Sequence, residues 1–202
     1  MNAVYTTLKT NSAVEVSFRS NPVTFEELVD VESFINYYLI NEIMVNCDSS
    51  WKSIYVHKGP LETDKLVFGP VWDFDWSLST QWELPYHKSE IETASTIQLA
   101  KRSKLFNYFI QKLENYDDIV ARYHSIKDNI IQISNGLKDY KSKIEKVALL
   151  DAQTWYGKDG EFQFGMQYDY VRLYLLDRAE FLTEAFSKTH QEFLSDYQLI
   201  NN

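Results

Sequence analysis

Residues 46–76 read Asn46-Cys-Asp-Ser-Ser-Trp-Lys-Ser-Ile-Tyr55-Val-His-Lys-Gly-Pro60-Leu-Glu-Thr-Asp-Lys65-Leu-Val-Phe-Gly-Pro70-Val-Trp-Asp-Phe-Asp75-Trp76. An acid, Asp48, stands in a loop-like run of small polar residues. The segment 52–57 has strand composition, 58–64 reads as a turn, and 65–68 reads as a second strand before Gly69-Pro70. Two more acids, Asp73 and Asp75, then follow among large rings. Neighbouring strands of a hairpin lie about 5 Å apart, so its two ends meet in space. Asp48 and Asp73, 25 residues apart in the chain, are therefore expected to be close.

Upstream, Asp30 suits a helix N-cap, and Val31, Phe34, Ile35, Tyr38, Leu39 and Ile43 recur at three-and-four spacing. That helix is expected to end near Asn46, with Asn46 as its C-cap. Glu42, late on the helix, reads as a buried acid paired with a cation such as Arg178, or as a surface residue. Before it, 13–18 alternates as a short strand, Pro22 breaks it, and 24–28 makes one helical turn. Residues 72–96, with three tryptophans, read as an irregular loop region, and Trp51 and Trp82 are candidates to line a groove. Four helices are then predicted, over 99–113, 117–125, 125–150 and 168–187, with a glycine-bearing break over 155–165. The fold class is mainly α, an α+β helical domain with a small central β-hairpin.

The 202 residues, 45% hydrophobic and 24% charged, describe an ordinary globular chain. A net charge of −9 argues against a nucleic-acid backbone as partner. The single cysteine, Cys47, excludes an internal disulfide and a cysteine-based zinc site. No run approaches the length of a membrane span, and residues 1–9 lack a signal-peptide pattern.

Three carboxylates gathered near aromatic walls need a cation. Mg²⁺ or Mn²⁺ suits oxygen donors of this kind. If the backbone at 72–76 is extended, Asp73 and Asp75 face one side; if it turns tightly, only one points inward. The order of loop acid, hairpin and metal-binding acid is that of a protein-kinase C-lobe. On that reading Asp48 orients the attacking hydroxyl, and Asp73 or Asp75 holds the metal on the phosphates of ATP. The kinase pattern places an Asn five residues after the catalytic acid, where this chain has Ser53, a neutral and shorter metal ligand. Trp72 is the candidate ring for the nucleotide, set against the commoner role of such rings as core.

Val31-Glu-Ser-Phe-Ile-Asn-Tyr-Tyr-Leu-Ile-Asn-Glu42, Asn46-Cys-Asp48, Ser53-Ile-Tyr55, Gly69-Pro-Val-Trp-Asp-Phe-Asp75 and Tyr170-Val-Arg-Leu-Tyr-Leu-Leu-Asp-Arg178 resemble the CotH (spore-coat) kinase family in order and spacing. The resemblance spans about 28–187. It implies an atypical kinase-like fold, with Asp48 as catalytic acid, Asp73 or Asp75 on the metal, ATP as donor and protein Ser/Thr as acceptor. It also implies a protein substrate or cell-surface partner and a secreted or cell-surface location. Only 30 residues precede Val31, without a glycine-rich segment, so 1–27 reads as the remnant of an N-terminal lobe or a linker, 28–190 as the C-lobe and 191–202 as a tail. Activity would then belong to a longer chain. The competing expectation is a non-catalytic assembly module that keeps the fold. A carboxylate-pair hydrolase is a third, without a substrate motif behind it.

Overall fold

The computed structural model describes residues 1–78, 94–157 and 160–199. Trp82, and most of the irregular region expected over 72–96, lie outside the described residues. The elements are α1 (Asn2–Thr10), α2 (Phe25–Leu28), α3 (Val31–Met44), a 3₁₀ turn (Cys47–Ser50), β1 (Val56–Lys58) and β2 (Leu66–Phe68). They continue as α4 (Leu99–Arg102), α5 (Lys104–Ile110), α6 (Leu113–Tyr156), α7 (Gly160–Ala185) and α8 (His190–Asp196). The chain is mostly helical, with one antiparallel two-stranded sheet in the register Val56↔Phe68, His57↔Val67, Lys58↔Leu66.

Helix α3 is the axis on which the rest is hung. Its N-cap Asp30 accepts from the Ser33 amide at 2.8 Å, satisfying an amide the helix itself leaves free. The Asp30 amide donates to Leu66 O at 2.9 Å and the Phe68 amide to Ser33 Oγ at 3.0 Å, so the same turn docks β2. Phe34, fully buried, meets Phe68, Phe109, Phe25 and Phe106 at centroid separations of 4.7, 4.4, 5.6 and 5.6 Å. Such tilted and edge-on aromatic contacts join hydrophobic burial to favourable ring geometry. The hairpin is thereby fixed against a rigid core before its ends reach the site.

Several expectations for the helices are corrected. The predicted helix 99–113 is two helices, because the backbone at Ser103 turns extended (φ −114°, ψ 121°). Two helices expected over 117–150 are one helix of 44 residues. Ser125 does not break it, since its hydroxyl folds back onto Arg122 O at 2.7 Å. The break expected over 155–165 is shorter: α6 runs to Tyr156 with Gly157, at φ 68°, as its C-cap, and α7 begins at Gly160. The strand expected over 13–18 is reduced to a single antiparallel bridge, Val14↔Val23. Helices α1 and α8 were not anticipated, although the Thr189–Glu192 capping box of α8 is a readable start signal. Val4, Leu8, Phe193, Leu194 and Leu199 from these ends join the same core as Phe34. Among the described residues no helix is long and apolar enough to cross a membrane.

A candidate active site at the two ends of the hairpin

Helix α3 ends with Val45 in the left-handed region, and Asn46 follows as the residue that opens the 3₁₀ turn, not as the C-cap of α3. Asn46 is fully buried; its Nδ2 donates to Asn41 Oδ1 at 3.1 Å and to Trp72 O at 3.4 Å. That second bond ties the loop before the hairpin to the segment after it. A further tie runs from Ser53 Oγ to Asp73 Oδ2 at 2.9 Å, and the hairpin closes with Gly69 N to Tyr55 O at 2.9 Å.

The 3₁₀ turn buries Asp48, which is only 2% exposed. Its Oδ2 holds the Lys52 ammonium at 2.6 Å, one helical turn away. The same ammonium sits 4.4 Å from the Trp76 ring and 5.1 Å from the Trp51 ring. Lys52 thus bridges the acid of the first loop to an aromatic of the second, with cation–π attraction added to charge. Spacing of i and i+4 between Asp48 and Lys52 was the readable signal for this pair, and sequence reasoning missed it. The other oxygen, Asp48 Oδ1, is buried without a hydrogen-bond partner, and so is Asn46 Oδ1. Among the described residues neither oxygen has a donor to offset its desolvation.

Asp73 adopts φ 64° and residues 75–76 form a turn, so the extended alternation does not apply. Even so, the Asp73 and Asp75 carboxyls meet: a hydrogen bond from one to the other is the main reason Asp75 titrates above its ordinary value of 3.8, with partial desolvation and the Asp73 charge adding to it. Asp75 therefore binds a proton more readily in the folded than in the unfolded chain. Its contribution to stability is favourable at low pH and is lost as pH rises through the raised value. A cation that replaced the shared proton would remove that cost, so cation affinity at this pair should rise with pH.

The three carboxylates expected to converge form a pair and a single. Asp73 and Asp75 adjoin, whereas Asp48 is turned onto Lys52. Among the described residues no three His, Cys, Asp or Glu side chains gather closely enough to hold a metal ion by themselves. Mg²⁺ commonly uses one or two carboxylates, waters and substrate phosphates, so a two-carboxylate set with Ser53 beside it fits that chemistry. Trp72 is 59% exposed and meets Tyr55 edge-on at 6.1 Å, which makes it a surface ring rather than core. Cys47 is buried.

Of six non-glycine residues with positive φ among the described residues, four lie here: Val45, Ser53, Asp73 and Leu78. Strained backbone of this kind persists where surrounding structure holds it, and it gathers at functional sites. Glu42 and Arg178 supply the hold. Both are fully buried, with Nη2 to Oε1 at 2.5 Å. The remaining Arg178 N–H groups reach Glu42 O, Ala94 O and Thr96 O, while Glu42 also accepts from the amides of Gln98 and Leu99 at 2.7 and 2.8 Å. The end of α3, the start of α4 and the middle of α7 are locked where the site loop departs. This is the pairing anticipated for Glu42.

No curated protein and no solved structure matches the chain. The sequence model of one family, described as CotH kinase protein, matches residues 2–182. That span covers nearly the whole chain and takes in both loops of the site, so the protein belongs to the CotH kinase protein family.

Proposed function

We propose that this chain is a kinase-like C-lobe that moves phosphate from ATP to Ser or Thr of a protein, with Asp48 orienting the attacking hydroxyl. Asp73 and Asp75, with Ser53 beside them, are the residues that would hold Mg²⁺ or Mn²⁺, and exposed Trp72 borders the nucleotide. The observation that carries this reading is the pairing of a buried loop acid, one oxygen of which has no partner, with a hydrogen-bonded carboxylate pair across the ends of one hairpin. When bound, the cation offsets the charge of the phosphates. The protein's part is positional. Asn46 and Ser53 tie the two loops together, and Lys52 fixes the Asp48 side chain through Oδ2 at 2.6 Å. A side chain fixed in this way can accept a hydrogen bond from a hydroxyl and aim its oxygen.

One observation favours a second reading, a non-catalytic assembly module. Lys52 already occupies one oxygen of Asp48, and the neutral Ser53 stands where the kinase pattern has Asn. Incubation of the full-length protein with γ-labelled ATP and Mg²⁺ separates the two. The kinase reading expects label on the chain itself or on an added protein acceptor, dependent on the divalent cation. Absence of transfer with either acceptor would leave the module reading.

A further inference from the structure

Away from the hairpin, α6 and α7 flank an open surface cavity of about 450 Å³ lined by Asn135, Lys138, Lys141, Tyr168, Asp169 and Arg172. Three of these six side chains are cationic, in a chain of net charge −9. Among the described residues none of the three joins an ion pair; the pairs formed there are Lys52–Asp48, Lys112–Glu26, Arg178–Glu42 and Lys188–Asp196. Asp169, on the same wall, is not within pairing distance of any of them. Lys141 Nζ lies 5.0 Å from the centre of the Tyr168 ring, which restrains it over an aromatic face. The Tyr168 hydroxyl is buried without a hydrogen-bond partner. Ser134 Oγ donates to Arg172 O at 2.8 Å, so the two helices are bonded to each other at this level.

From this arrangement we infer that the α6–α7 cavity is a binding site for a tetrahedral oxyanion of the phosphate class, free or carried as a monoester. Arg172 presents a planar fork matched to two phosphate oxygens, and Lys138 and Lys141 add point charges. Tyr168 contributes its ring face, which holds Lys141 beside the other two cations. Asp169 opposes the anion and limits its affinity. The site is independent of the hairpin and of any phosphoryl transfer there.

The probe is inorganic phosphate, titrated into the full chain by calorimetry at constant ionic strength, with amide NMR following residues 135–141 and 168–172. Saturable binding is expected, with shifts confined to those two segments. Arg172→Gln should weaken it about tenfold, the loss of one charge-assisted contact. Asp169→Asn should tighten it, an outcome that damage to the fold would not produce. A parallel titration with O-phosphoserine ranks free anion against ester, and either ranking supports the site. Linear, unsaturable heats, or equal affinity in the Arg172→Gln, Asp169→Asn and unmodified chains, would overturn the inference.

Discussion

Replacing Arg178 by alanine should cost about 3–5 kcal/mol of folding stability, the range for removing one partner of a buried ion pair. The argument rests on what is left behind. Glu42 keeps a fully buried carboxylate that still accepts from Gln98 N and Leu99 N but loses its counter-charge. The carbonyls of Glu42, Ala94 and Thr96 lose their donor at the same time. In a chain of this size the midpoint should fall by roughly 10 °C. Urea unfolding followed by tryptophan fluorescence reads the loss directly. Glu42→Gln should also destabilise strongly, since it strips the buried Arg178 of its counter-charge and sets an Nε2 donor against one of the two amides that Oε1 and Oε2 accept separately. The double replacement Glu42→Leu with Arg178→Met should recover part of the stability, because no uncompensated charge remains. A loss under about 1 kcal/mol for Arg178→Ala would mean the pair does not lock the helix ends.

The largest effect on activity belongs to Asp48→Asn. An amide keeps the shape of the side chain but cannot take a proton from a hydroxyl. Loss of a positioned general base lowers rates by about 10²–10⁴-fold. The change should leave the fold intact, because the partner left behind, Lys52, has a side chain 40% exposed and can be hydrated. It should also leave nucleotide affinity nearly unchanged, since Asp48 is assigned to the hydroxyl and not to the phosphates. Initial rates of label transfer, with nucleotide affinity measured beside them, check both halves. Unaltered transfer by Asp48→Asn would remove Asp48 from the chemistry.

Much of this was legible in the chain, for identifiable reasons. Helix α3 announced itself through Asp30 and a stripe of apolar residues, and the hairpin through two strand-like runs around Gly59-Pro60. The partner of Glu42 could be named because an acid on a buried helix face must find a cation. Legibility failed where tertiary contacts overrode local pattern. The length of α6 was cut at Ser125, since a serine whose hydroxyl bonds its own helix looks like a stop signal in sequence. The closeness of Asp75 to Asp73 goes with a left-handed Asp73, which no pattern encodes. Likewise, nothing in Trp72 alone distinguishes a surface ring from a core one.

The account stands on the two hairpin ends forming one seat for a divalent cation and a nucleotide. Calorimetry with Mg²⁺ and a non-hydrolysable ATP analogue, run in two buffers of different ionisation heat, tests this most directly. It should show saturable binding of the pair of ligands, with proton release at the pH where Asp75 still holds the shared proton. Asp73→Asn should abolish that release and weaken binding about tenfold or more. Nucleotide binding that is absent, or equally tight with and without Mg²⁺ and indifferent to Asp73→Asn, would contradict it.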